Sequence, residues 1–334
     1  MSKLTEAGEE KKQSELAPKE ISKHGPREGY FIFPFQAQKK EQIPEATARK
    51  GVKFELQLVV HQRWNVKTKE YEDISVEEVK SIRNAVKAWL TFGGVGARTR
   101  RGCGALQVIG NNTNEWLPPV RDKERIGSWM KSLIVGNPAS TSHTLLKDAT
   151  VIIGEGCKAD NNLSASEVAW RTLGAFWARF RKGHIPPVRS NYDPTSNCDW
   201  DDYRKVLVKS YFPKSPRPSS LALAKPFLGL PIIYQWFDNA PYTKFAIEAS
   251  ETGRMSSPVI LKPIMFADGS VCPMVAILSA PKPEKIAIDK DKVDLKIPTS
   301  DKVLTALGAT DPLQAVTAAA KKIWGATNVI EVTL

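Results

Sequence analysis

The order of elements legible in this sequence predicts an α+β protein of two βαββαβ, ferredoxin-like domains, the first incomplete at its N-terminus and the second carrying insertions. Three observations predict it. Segments of alternating apolar and polar residues recur around two helices that open on capping boxes, Ser75-Val76-Glu77-Glu78 and Ser164-Ala165-Ser166-Glu167. A loop of interleaved glycine and arginine, Thr91 to Gly104, follows the first helix. A stretch of Asn, Thr and paired prolines from Asn111 to Pro119 then separates the two units. The chain divides into a flexible tail at 1–28, a partial ferredoxin-like domain with the Gly/Arg-rich loop at 29–112, and a second domain at 113–334.

Met1 to Glu28 holds charges, Ser and Pro with no apolar face, which predicts the tail. Tyr30 to Phe35 and Val52 to His61 read as strands. In the second, Phe54, Leu56, Leu58 and Val60 alternate with Glu55, Gln57 and Val59. The polar run Lys39 to Lys50 between them reads as a loop whose Lys39, Lys40, Arg49 and Lys50 are able to meet phosphates. Ser75 opens a helix along which Val79, Ile82, Val86, Trp89 and Leu90 recur at helical spacing, and Gly93-Gly94 stops it. Arg83 and Lys87 fall four apart on its polar side, a spacing that suits a solvated pair. With a strand at Ala105 to Ile109, the first unit supplies the last two-thirds of a βαββαβ fold.

In the second unit, Asp148 to Gly154 reads as a strand and Ser164 as the start of a helix. Trp170, Leu173, Phe176, Trp177 and Phe180 form its apolar stripe, the spacing of core packing. Arg171 flanks the stripe; Arg179, Arg181 and Lys182 suit the helix C-terminus electrostatically, with a phosphate contact as the other reading. His184 to Pro218 reads as an insertion with a short helix near Asp199 to Val208. Phe245 to Ser250, Val259 to Phe266 and Cys272 to Ser279 read as strands, and Lys282 to Lys302 as a charged hinge or excursion. Asp311-Pro312 starts a last helix with Leu313, Val316, Ala320 and Ile323 facing inward, and Asn328 to Leu334 closes the sheet.

Composition narrows the function. The 334 residues carry a formal net charge of +12, and 42% are hydrophobic, a balance that fits a globular protein with a polyanionic partner. Cys103, Cys157, Cys198 and Cys272 form no CxxC pair, so spacing gives no zinc site and free thiols in a reduced, cytoplasmic protein are expected. No run approaches the length of a membrane span, and the N-terminus has no signal pattern, so no membrane partner is expected.

The loop is the most informative stretch. Gly93, Gly94, Gly96, Gly102 and Gly104 interleave with Arg98, Arg100 and Arg101. Glycine admits positive φ and close backbone approach, and arginine offers a donor fork that matches phosphate. No GxxxxGK[ST] pattern occurs, and Gly94-Val95-Gly96 follows a helix, which argues against a nucleotide cradle. The run Trp89 to Gly102 resembles the glycine-rich loop of the RAMP superfamily, the RNA-binding subunits of CRISPR effector complexes. It is most similar to the first-numbered subunit of the type III-B (Cmr) complex.

Tyr30-Phe31-Ile32-Phe33-Pro34, Leu228-Gly229-Leu230-Pro231-Ile232 and Arg254-Met255-Ser256-Ser257-Pro258-Val259-Ile260-Leu261-Lys262-Pro263 resemble the same family. The resemblance thus runs from about Gly29 to about Leu278. The family's opening strand and helix, with a phrase like S-x-K-G-x-L-R, has no counterpart here: either a separate polypeptide supplies it, which would complete the first domain, or the chain is an altered member. The resemblance implies a non-catalytic, RRM-like RNA-binding subunit in antiviral defence. Such a subunit contacts guide and target RNA near the guide 3′ end, beside other Cmr-type subunits. Its RNA-binding residues would be the five loop glycines, Arg98, Arg100 and Arg101, with Arg254 and Lys262 as further candidates. Ser256-Ser257-Pro258 reads equally as a turn into a buried strand.

No catalytic residue, metal or cofactor is expected. His24, His61, His143 and His184 are scattered, and metal-free RNA cleavage needs a paired acid and base. Asp199, Asp201 and Asp202 cluster as metal-dependent cleavage would want, but they read better as a helix start with an acidic first turn. Two alternatives stand beside the RNA-binding subunit: a metal-independent guide-processing endoribonuclease on the same fold, and a structural subunit whose basic loop docks another protein.

Overall fold

A polar segment with no apolar face gains structure only by hydrogen-bonding to a neighbour, and the N-terminal stretch does this. In the computed structural model, which describes residues 2–12, 15, 29–32, 35, 37, 42–110, 113–134, 144–160, 163–190, 198–206, 216–235 and 244–334, it forms a ribbon. Ser2–Glu6 (β1) and Glu9–Lys12 (β2) make one arm, and Thr47–Lys50 (β3) and Lys53–Leu56 (β4) the other. Ser2 lies opposite Leu56 and Lys12 opposite Thr47. The flexible-tail reading is therefore corrected for residues 2–12; of the rest of 1–28, all but Glu15 lie outside the described residues. Lys53 pairs with Glu6 at 2.6 Å across the ribbon, and Lys50 reaches Glu167 on the body at 2.5 Å.

Strand β4 stops at Leu56, short of the predicted His61, because a strand persists only while a neighbour pairs with it. Leu58, Val59 and Val60 beyond it are exposed. A small hairpin, Arg63–Asn65 (β5) with Glu70–Glu72 (β6), sets the Trp64 and Tyr71 rings edge-on at 5.1 Å. Of the strand predicted over Tyr30 to Phe35, the described residues up to Ile32 belong instead to a helical turn, Gly29–Ile32; residues 33–34 lie outside the described residues. Phe31 is buried in the core, 6.1 Å from the Trp170 ring, and Phe35 packs against the same cluster. Helix α1 (Val76–Phe92) starts as predicted, the Ser75 hydroxyl accepting from the Glu78 amide and the Glu78 carboxylate from the Ser75 amide. Ala105 to Ile109 is not a strand either, and no described strand of 29–112 joins the main sheet. Helix α2 (Lys123–Ser132), which the sequence reading missed, is capped by Asp122. Its Ile126 and Met130 provide an i, i+4 apolar pair.

The main sheet begins with Leu145–Ile153 (β7), followed by helix α3 (Ala165–Lys182), whose capping box at Ser164 and Glu167 also forms as predicted. The chain then builds most of a second sheet with Ser220–Ala222 (β8), Ile232–Gln235 (β9) and Lys244–Ala249 (β10). It returns as the hairpin Val259–Met265 (β11) and Val271–Ser279 (β12). Lys285–Ile288 (β13) and Asp291–Lys296 (β14) rejoin the second sheet, and helix α4 (Pro312–Trp324) leads to the last strand, Ile330–Thr333 (β15). The main sheet is antiparallel in the order β11-β12-β7-β15. Around it the chain runs strand, helix, strand, strand, helix, strand.

Side-chain parity sends each residue of these strands to one of two cores. Ile152, Leu261, Val275 and Ile277 pack with α3 and α4. Val151, Ile153, Ile260, Met274 and Ala276 pack with Phe92 at the end of α1 and with Ile126 and Met130 of α2. Both faces of the sheet are thus covered, and β12 is buried continuously from Val271 to Leu278. The second sheet, ordered β8-β14-β13-β10-β9, has its own core of Leu221, Ile247, Ile286, Ile288, Val293 and Leu295 among others. Lys282 to Lys302 is therefore largely a core hairpin and not an excursion: its charges sit between alternating Ile286, Ile288, Val293 and Leu295. No helix among the described residues is long and apolar enough to cross a membrane.

Candidate nucleic-acid interface

The glycine-arginine loop is a folded knot. Gly93 caps α1, donating to the Trp89 carbonyl at 2.8 Å. The Val95 amide donates to the Gly104 carbonyl at 2.9 Å, closing the loop on itself. Between these ends, Arg98 takes the left-handed conformation at φ 59°, and Thr99–Arg101 makes one 3-10 turn that ends on Gly102. The closure leaves no room for a side chain at Gly104, where a Cβ would lie 1.8 Å from the Val95 carbonyl oxygen. At Gly96, by contrast, nothing lies within 4 Å of the same position, and Val95, Gly96 and Ala97 form an exposed tip. Among the described residues the amides of Gly96 and Ala97 have no hydrogen-bond partner.

This knot sits on β11, an edge strand of the main sheet. An edge strand turns every second carbonyl outward, and an unpaired row of them is a liability. Arg100 donates through Nη1 to the Ser257 carbonyl, and Arg101 through Nη1 to the Val259 carbonyl at 2.8 Å. Ser257 lies two residues before β11 and Val259 is its first residue, so the two guanidiniums hold the loop at the entry to that strand. The Arg101 guanidinium also lies 4.8 Å from the centre of the Trp177 ring, and its own carbonyl accepts from the Trp170 indole at 2.8 Å. Burial lowers the Arg100 pKa from its ordinary value. Burial likewise pushes the Cys103 thiol up to about 11, against the opposing pull of Arg98 and Arg101, so it is uncharged at neutral pH.

The sequence-based candidates therefore separate. Gly96 reaches solvent at the tip, next to Ala97, which the sequence did not single out, while Gly93, Gly94, Gly102 and Gly104 serve close packing within the knot or against Trp170 and the Leu261 carbonyl. Arg254 is exposed and lines a groove of about 660 Å³ between 249–258 and 280–285, which borders Ser257, the residue held by Arg100. Lys262 is a correction. It is 1% exposed and donates its ammonium to the Leu90 carbonyl at the end of α1, because its parity on β11 turns it toward α1 and not toward solvent. It meets no ligand from solution there, and burial pulls its pKa down to about 7.

Several of the remaining polar candidates make hydrogen bonds or ion pairs within the fold. Asp202 is fully buried and accepts from the amides of Ala224 and Lys225 at 2.8 and 2.7 Å. Asp199 pairs with Arg189 and Lys302, each at 3.1 Å, and His184 is buried 3.9 Å from it. The helix there starts at Asp202, three residues after the predicted Asp199, and runs through Arg204 into a π-helical turn at 205–206; the rest of the predicted range, to Val208, lies outside the described residues. Arg179 donates to the carbonyls of His184 and Ser190, the structural role foreseen for it at the helix end. His61 is exposed; His24 and His143 lie outside the described residues, as do Lys39 and Lys40.

Residues 7–107 match the family model of the RAMP superfamily, whose members are in general CRISPR-associated RNA-binding proteins. The matched segment contains β2 to β6, α1 and the whole loop. It begins within the stretch read as tail, upstream of Gly29, and stops short of the similar phrases at 228–232 and 254–263. No curated protein and no solved structure matches the chain.

Proposed function

We propose that this chain is a non-catalytic RNA-binding subunit of a CRISPR ribonucleoprotein, of the type III-B (Cmr) kind, which holds guide and target RNA by their backbone near the guide 3′ end. The observation that carries the reading is the RAMP match over residues 7–107, which includes the entire glycine-arginine loop. We read the four-stranded main sheet, with its 4-1-3-2 order, as a ferredoxin-like domain. In this reading Arg100 and Arg101 hold the loop to β11, while the Gly96 and Ala97 amides, Arg98 and Arg254 meet phosphates. Amides and guanidiniums on phosphate position a strand without reading its bases, which suits a subunit that serves many guides.

Placing a carboxylate at the tip tests this directly. Ala97→Asp adds an anion at an exposed position without touching the knot. It should weaken binding of single-stranded RNA at low salt by about tenfold, the equivalent of about 1.4 kcal/mol, and far less at high salt. Arg254→Ala should flatten the salt dependence by about 0.7 in log-log slope, one lost phosphate contact. Unchanged affinity and slope in both folded variants would remove the loop from the interface. Incubated with RNA, the purified chain should leave it intact with or without divalent metal; cleavage abolished by His61→Ala would favour the endoribonuclease.

A further inference from the structure

Lys80, Arg83 and Lys87 fall at i, i+3 and i+7 on α1, so they line up along one side of the helix. That side forms one wall of a groove of about 490 Å³ against α2, with Asn84 at its floor and Ser132 opposite. Among the described residues no carboxylate lines it. Arg83 is steadied from outside by Glu115 at 3.2 Å, and the Lys87 ammonium sits 5.9 Å from the centre of the Trp116 ring. The groove is rigid at its base, because buried Asn84 donates through Nδ2 to the Ser132 carbonyl at 2.7 Å and so staples the helices together. Lys80 to Lys87 covers about 10 Å along the helix, and a further six residues, about 9 Å, lead to Gly93, where the loop begins.

We propose that this groove is a second binding site for the phosphodiester backbone of single-stranded RNA, continuing the strand held at the loop tip along α1. The proposal rests on the RNA-binding reading for the identity of the ligand. The composition favours nucleic acid over an acidic protein. Protein interfaces are depleted in lysine and centre on buried aromatic or arginine anchors, whereas this groove has two lysines of its three cations, suited to phosphate as point charges.

Full-length Lys80→Gln/Arg83→Gln/Lys87→Gln, titrated with oligouridylate over a salt series, should show a log-log slope about 2 shallower than the unaltered chain, roughly 0.7 for each of three contacts. Ala97→Asp is measured in parallel. A shallower slope in the groove variant with no effect of Ala97→Asp would sustain the groove and overturn the loop reading. An unchanged slope in the groove variant, with its circular dichroism intact, overturns the groove whatever Ala97→Asp does. So does a variant that keeps its RNA slope and loses only a copurifying protein. If the triple variant misfolds, cross-linking of 4-thiouridine RNA to the unaltered chain decides: adducts in peptides covering 76–92 or 113–132 support the groove, and adducts only elsewhere overturn it.

Discussion

Gly104→Ala should open the loop and cost roughly 3 kcal/mol or more, while Gly96→Ala should cost only about 1 kcal/mol. Both glycines have positive φ, at 64° and 89°, so backbone strain alone does not separate them. Their surroundings do. A Cβ on Gly104 lies 1.8 Å from the Val95 carbonyl oxygen, whereas one on Gly96 meets nothing within 4 Å. The alanine at 104 has to break the Val95–Gly104 hydrogen bond that closes the knot, and with it the seat of Arg100 and Arg101 on β11. Calorimetry should give a drop in Tm of several degrees for Gly104→Ala, together with faster amide exchange at Val95. A Gly104→Ala protein that melts with the wild type and keeps Val95 protected would show that the knot is not closed in this way.

Lys262→Met should remove a pH dependence of stability that the wild-type protein carries above neutrality. In the unfolded chain this ammonium keeps its proton up to about pH 10.4. In the folded chain burial brings the pKa to about 7. Between these values the unfolded state binds more protons, so stability rises with pH across the window, by on the order of 4 kcal/mol if no other group compensates. Below about pH 7 the folded protein carries a buried charge whose hydrogen bond to the Leu90 carbonyl offsets only part of the desolvation. Methionine removes both the charge and the bond, and leaves the Leu90 carbonyl to the last-turn geometry of α1. Denaturant midpoints at mildly acidic and at alkaline pH should diverge for the wild type and converge for the variant. Equal pH dependence in the two proteins would place the ammonium in water and not under α1.

Local chemistry determined helices α1, α3 and α4 from sequence alone. The two capping boxes, the proline at the first position of α4 and the apolar stripe from Trp170 to Phe180 each act within a few residues, so no distant partner was needed to read them. Strands β7, β11, β12 and β15 were also legible, since their apolar runs are buried wherever they pair. The glycine-arginine loop was legible as a special site, yet the division of labour within it was not. Which arginines face a ligand depends on the carbonyls of Ser257 and Val259, more than 150 residues away in sequence. Likewise Lys262 reads as a surface cation until its parity on β11 turns it under α1. Tyr30 to Phe35 has the composition of a strand, but Phe31 found burial on α3 as part of a helical turn. In the ribbon only β4 carried an apolar alternation; the arm at 2–12 and Thr47–Lys50 have almost none to read, because backbone pairing with a remote segment makes them. Periodicity and caps report a residue's own neighbourhood; which carbonyl, ring or strand edge comes to meet it is decided only when the chain has closed around it.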